Sequence, residues 1–265
     1  MISYRMMDET CLLPACLHGG PVPVAALRGA GSTATEIEQQ EGLSPGALAR
    51  FLAALCRQYG SAAVLAVRDD VIVGKLRFAP LQVERMLSGI CFQQAAEARR
   101  IAEFDPEALP AREALAQQEL RLDCYQVANG YGGQGIARGL LDTALTWARA
   151  TGWETLSTTA IRPIPPLLNW TGQASVKALQ ARGFVIVGEA VHADLREGVV
   201  SQRAGHHGEQ VRQKWEAFAC LSDDEAATLY ELTLDLREQV GRAGPGRHVV
   251  PPTSGRDGSG DGTRT

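Results

Sequence analysis

The segment Gly130-Tyr131-Gly132-Gly133-Gln134-Gly135-Ile136-Ala137 joins two stretches of different hydrophobic period. Before it, Leu120 to Ala128 reads as a strand; after it, Ile136, Leu140, Leu141, Ala144, Leu145 and Ala148 recur at helical spacing. A glycine-rich turn at such a junction presents backbone N–H groups at a helix N-terminus, where the helix dipole adds attraction for negative charge. The chemistry this arrangement supports is main-chain recognition of a pyrophosphate, so the first expectation is a phosphate-bearing ligand held by Gly132, Gly133, Gln134, Gly135, Ile136 and Ala137. Arg138 follows in the first helical turn, either as a phosphate contact or as a surface cation. A dinucleotide site would place G-x-G-x-x-G after the first strand, with an acidic residue about 20 positions on; here the glycines fall mid-chain and in another order.

The strand before the turn carries the groups able to move protons. Alternation puts Leu120, Leu122 and Cys124 on one face and Glu119, Arg121, Asp123, Tyr125 and Val127 on the other. Asp123 is the first candidate general base and Glu119 the second, because a carboxylate lining a closed cleft can accept a proton from an attacking group. The competing reading is that Asp123 pairs with Arg121 or another cation and only holds the sheet.

Gly132-x-x-Gly135-x-Ala137 resembles the R/Q-x-x-G-x-G/A acyl-CoA loop of the GNAT family of N-acetyltransferases. Gly135 and Ala137 match; Gly132 stands where the family has Arg or Gln, which removes a side-chain contact and leaves the main-chain cradle. The resemblance covers roughly residues 1–195 and includes element order. Ser61 to Val67 and Val71 to Phe78 form a hairpin around Asp69-Asp70, Glu154 to Ile161 is the strand after the motif helix, and a short helix from Ser175 to Arg182 closes at Gly183-Phe184 before the strand Phe184 to Ala190. The implied fold is α/β (α+β): a mixed, largely antiparallel central sheet flanked by helices, with the loop where the central strands part. The implied activity is transfer of an acetyl group from acetyl-CoA, as cosubstrate, to an amine by direct attack.

By the same resemblance, the Val127 N–H faces the thioester carbonyl and Asn169 contacts the pantetheine arm, although Asn169 is displaced from the usual spacing. The family often has a Tyr four residues before the Gly of Gly-Phe, where it protonates the leaving thiolate. Leu179 stands there and has no proton to give. Ser175, one turn earlier, is the alternative source, against a plain helix-cap role. Gly132 and Leu179 also leave open a non-catalytic acyl-CoA binding or sensing module.

Other segments set the organisation. Ile2 to Met6 reads as a first strand, Asp8 to Leu17 as the start of a short helix, and 18–42 as an irregular loop near the cleft. Ser44-Pro45 starts a helix running to about Gln58. An insert spans 79–118, with helix at Ala95 to Phe104 and a turn opened by Asp105-Pro106; it either shapes the acceptor pocket or covers a sheet edge. Arg162-Pro163-Ile164-Pro165-Pro166 reads as stiff and extended, with Trp170 beside it; Trp147 and Trp153 read as core. The acyltransferase domain is set at 1–200 and a C-terminal α-hairpin appendage at 201–240, the hairpin showing Val211, Trp215 and Phe218 on one helix and, after the Ser222-Asp223-Asp224-Glu225 capping box, Leu229, Leu232 and Leu236 on the other. It packs on the same subunit or on a partner, with a homodimer as one arrangement, and a third reading makes the chain an interaction protein acting through these helices. The Gly/Pro/Ser-rich stretch 241–265 reads as a disordered tail.

Composition narrows the partners. The 265 residues are 45% hydrophobic and 21% charged, with a formal net charge of -4, so the chain reads as globular, without the basic excess of a nucleic-acid binder. No apolar run reaches the roughly 20 residues that span a bilayer, and Arg5, Asp8 and Glu9 make a poor signal peptide. The expected setting is cytoplasmic, without membrane or nucleic acid. Six cysteines lack any C-x-x-C pair and read as packed free thiols. Cys11, Cys16 and His18 fit no common zinc spacing, and His206-His207 point in different directions, so no metal is expected. The cleft-side segments show no extended charged track, which favours a small-molecule amine over a protein as acceptor.

Overall fold

The computed structural model describes residues 1–13, 17, 20–27, 39, 45–87, 100–101 and 103–237, with residue 169 described by its backbone alone. Strand β1 (Ser3–Met6) and the short β2 (Val22–Pro23) precede helix α1 (Ala47–Tyr59), which starts after a left-handed Gly46. Ser44 lies outside the described residues, as do Cys16, His18, most of 18–42 and most of the helix expected at Ala95 to Phe104. The described part of Asp8 to Leu17 is turn rather than helix, because Asp8 accepts hydrogen bonds from the Thr10 backbone and hydroxyl.

β3 (Ala63–Arg68) and β4 (Val71–Pro80) form the expected hairpin. Asp69 and Asp70 both take positive φ, 51° and 59°, the pattern of a two-residue turn whose twist matches the strands. The insert contributes α2 (Leu81–Leu87) and two single 3-10 turns, Pro106–Ala108 and Arg112–Ala114, the first capped by Asp105 as expected.

β5 (Glu119–Val127), α3 (Ile136–Ala150) and β6 (Thr155–Ile161) form a parallel crossover. Then come α4 (Pro165–Thr171), β7 (Ala174–Ser175), α5 (Val176–Gln180) and β8 (Val185–Val191). The proline run is therefore not extended throughout. Pro165 and Pro166 occupy the first turn of α4, where a missing N–H is harmless and a fixed φ suits the helix.

The C-terminal hairpin is corrected. After α6 (Ala193–Arg203), α7 (Glu209–Trp215) and the single-turn α8 (Asp223–Ala226), residues Thr228–Asp235 form strand β9. The Ser222–Glu225 capping box is present, but its helix ends within one turn. The stripe Leu229, Leu232 and Leu236 competes with a period-two pattern, Tyr230-Leu232-Leu234-Leu236, and these four are buried in the main core. β9 lies between β6 and β8, so the segment beyond residue 200 completes the sheet. Trp215 is buried against α6, its indole N–H donating to Gln202 Oε1 (3.1 Å), and Val211 and Phe218 pack beside it.

Nine strands are described, in the order β1-β3-β4-β5-β6-β9-β8, with β2 beside β4 and β7 beside β6. Pairing is antiparallel except at β5–β6 and β6–β7. This is the mixed, largely antiparallel sheet flanked by helices that the sequence implied. α3 lies on β3 and β4, so close that a Cβ on Gly74 would sit 2.7 Å from Ile136 Cγ2. Phe78, on the same face as Gly74, stacks on Trp147 at 4.9 Å, and Trp153 is buried.

Because Leu232 is 1% exposed in a strand bonded on both sides, Leu232→Ala is expected to lower unfolding free energy by about 2–5 kcal/mol in urea titration. A peripheral helix would lose far less.

Candidate functional site

The site is built where β5 and β6 separate. Their parallel register runs only from Glu119↔Thr155 to Leu122↔Thr158, although β5 continues to Val127 and β6 to Ile161. Beyond that point β6 pairs with β7, and the Tyr125 N–H donates to Gly172 O (2.8 Å). On its other side β5 keeps its bonds to β4, with Ala128 N–H donating to Val73 O (2.9 Å). N–H groups alternate sides along an antiparallel strand, so the Val127 N–H points the same way as that of Tyr125, into the gap.

A bulge sits at the same place. Leu76 opposes Tyr125 while Phe78 opposes Leu122, so Asp123 and Cys124 together face Arg77. The extra residue reverses the side-chain faces beyond it. Tyr125 therefore points to α3, where its hydroxyl donates to Ala137 O, whereas Asp123 points to the opposite face and bonds Arg77. This corrects the strict alternation, which put both on one face. A bulge inserts a residue without changing hydrophobic composition, so periodicity carries no sign of it.

At the gap, a cavity of about 540 Å³ is bordered by Val127, Gly132, Gly133, Gly135, Ile136, Ala137, Arg138 and Ser175, a size usual for small-molecule sites. Gly133 and Gly135 have φ of 75° and 76°, and a Cβ on either would meet open space. Gly135 is the N-cap of α3, without any side-chain cap. The first backbone bond of the helix is Gly139 N–H to Gly135 O. The N–H groups of Ile136, Ala137 and Arg138 are thus the donors that a helix start cannot satisfy internally, and they carry the positive end of the dipole. The sequence reasoning missed Arg182, which lines the cavity beside Arg138 and is oriented by Asp142 (2.7 Å). Its signal was its place just before Gly183-Phe184. Tyr125, Tyr131, Gln126 and Gln173 line it too. Gln126 is fixed by the Leu17 N–H (2.8 Å), and Gln173 by the Thr159 hydroxyl (2.9 Å).

The other candidates fall as follows. Gln134 turns outward and accepts from Arg68 (3.1 Å). Ser175 is the N-cap of α5, yet its side chain makes no capping bond. Leu179 is buried and does not border the cavity. Asn169 lies in α4, its side chain outside the described part. Asp123 and Glu119 do not border the loop cavity. Asp123 accepts from Arg77 Nε (2.8 Å) and also from Nη2, a pair whose side chains are 20% exposed. Phe51 and Leu55 of α1 border that pair. Glu119 opens onto a different cavity over β5, β6 and β9. Trp170 is 39% exposed and packs over Gly198 of α6.

No protein-family model matches the chain, and no curated protein does either. Among solved structures, the chain is similar to an acetyltransferase of the GNAT family from Streptococcus pneumoniae (16% identity, TM-score 0.45, covering 89% of this chain and 99% of that one). It is also similar to an N-acetyltransferase from Staphylococcus aureus (15% identity, TM-score 0.43, 89% and 99% covered). A third is the ribosomal-protein-S18-alanine N-acetyltransferase from Escherichia coli (12% identity, TM-score 0.42, 89% and 94% covered). Among the described residues, no helix is long and apolar enough to cross a membrane, and no three His, Cys, Asp or Glu side chains gather as a metal site.

Two outcomes follow from these contacts. Asp123→Asn leaves the half-buried Arg77 guanidinium without its carboxylate, so a loss of about 1–3 kcal/mol in unfolding free energy is expected from denaturant titration. Burial also raises two phenols, Tyr59 to about 12 and Tyr125 further. The folded chain then keeps protons that the unfolded chain releases near pH 10. That stability is complete below about pH 10 and is lost as pH rises through about 12. Tyrosinate absorbance should show two phenols ionising only with alkaline unfolding.

Proposed function

We propose that this protein transfers an acetyl group from acetyl-CoA to an amine. The observation that carries the reading is the uncapped N-terminus of α3, preceded by left-handed Gly133 and Gly135, opening onto a cavity where two parallel strands part. A helix start free of side-chain caps beside such a volume leaves its first N–H groups open to a ligand. The residues present fit the diphosphate of CoA: the N–H groups from Gly133 to Arg138 would hold it, with Arg138 and Arg182 adding charge.

On this reading the pantetheine arm enters the gap between β5 and β6. The Val127 N–H is directed there and would stabilise the oxyanion formed as an amine attacks the thioester carbonyl. The C–N bond forms, the C–S bond breaks, and the amine proton must leave as the thiolate departs. Ser175 borders the cavity with its hydroxyl unused in capping and would relay to sulfur, through water, the proton that the amine releases, in the role that Leu179 does not fill. Asp123, tied to Arg77, is better suited to positioning β5 than to taking a proton. Glu119 lies at the other end of β5 from Val127 and borders the separate sheet-face cavity. A small amine in the cytosol is the acceptor class we favour.

Calorimetric titration with acetyl-CoA and with CoA tests the cradle. Gly135→Glu places a carboxylate at the helix start in a backbone conformation that side chains rarely adopt. Affinity for CoA should fall by at least about 100-fold, the loss of two or more charge-assisted hydrogen bonds, while far-UV circular dichroism stays unchanged. Equal affinity in the variant would sink the assignment. Free thiol release with an amine panel then separates a transferase from a module that binds acyl-CoA without reacting.

A further inference from the structure

Arg121 and Ser157 are neighbours across the paired part of β5 and β6. Arg121 is 9% exposed and Ser157 7% exposed. The Ser157 hydroxyl is buried without a hydrogen-bond partner. Among the described residues, no hydrogen bond or ion pair engages the Arg121 guanidinium. A buried cation without a counter-charge is strongly unfavourable, and so is a buried hydroxyl without a partner. The two residues border a cavity of about 520 Å³, far larger than a water site and separate from the loop cavity. Glu84, Glu119 and Glu231 ring the same space, with Arg85 at its rim.

We propose that this cavity binds a zwitterion of the amino-acid class, its carboxylate on Arg121 and its ammonium among Glu84, Glu119 and Glu231. The guanidinium matches a carboxylate in two-point geometry. An inorganic phosphate would satisfy Arg121 but would face three carboxylates, which a ligand carrying its own cation turns into partners. Arg121 lies six residues before Val127 along β5, about 20 Å, so this site is distinct from the loop cavity.

The test is calorimetric titration of the full chain with the common L-amino acids, with acetyl-CoA titrated in parallel. At least one amino acid should bind, and its decarboxylated amine, its deaminated acid and inorganic phosphate should each bind at least about tenfold more weakly. Arg121→Gln should weaken the amino acid while leaving acetyl-CoA affinity unchanged. Arg121→Met should abolish amino-acid binding and raise the melting temperature of the free protein, since it removes a buried unpaired charge; a structural arginine would lower it. Binding of acetyl-CoA with no binding of any L-amino acid would overturn the zwitterion site alone. Equal binding of phosphate would overturn it too. Amino-acid binding that depends on Arg121 without acetyl-CoA binding would uphold the site and remove the acetyl-transfer reading.

Discussion

The separation of β5 and β6 after Leu122 and Thr158 is the constraint around which the molecule is arranged. Two parallel strands that part inside a sheet expose backbone donors and acceptors that must find partners if they are buried. Most of the relief comes from one short segment. Gly172 accepts from Tyr125, Ala174 and Ser175 pair with Ala160 and Ile161, and Gln173 takes the Thr159 hydroxyl. The bulge at Asp123 and Cys124 lets β5 turn away while its bonds to β4 continue. The Arg77–Asp123 pair then spans β4 and β5 at the bend, which gives Asp123 a reason to be there that involves no catalysis.

The parts legible in the sequence are those set by local chemistry. Asp69-Asp70 fixed the hairpin because short polar side chains tolerate the left-handed turn. The change from strand period to helix period around the glycines located β5, the loop and α3. Gly183 marked the end of α5 through its positive φ of 88°. What stayed hidden depends on contacts between distant segments. Thr228 to Asp235 carries both a helical and a strand pattern over eight residues, and only the open edges of β6 and β8 select the strand. The bulge leaves no compositional trace. Arg121 looked like a partner for Asp123, but the bond went to Arg77 from the neighbouring strand, whose proximity is a product of the hairpin register.

The two cavities differ in electrostatic character, and the difference follows from which backbone ends they meet. The loop cavity lies at the start of α3 and is bordered by Arg138 and Arg182, so it favours a polyanion. The sheet-face cavity sets Glu84, Glu119 and Glu231 against Arg85 and Arg121 and favours one less. A net charge of -4 for the whole chain conceals this division.

The same division explains how an unpaired Arg121 can persist. A buried cation placed alone in an apolar core would be replaced at little cost by a leucine or methionine, because nothing would offset its desolvation. Arg121 instead borders a cavity together with Glu84, Glu119 and Glu231, none of which bonds it. Were one of them to bond it, the site would become a stable ion pair and would lose its attraction for an external carboxylate, which is what happened to Asp123 with Arg77 two residues along the strand. On β5, then, Asp123 holds the bend through Arg77, whereas Arg121, on the same face two residues earlier, borders the cavity.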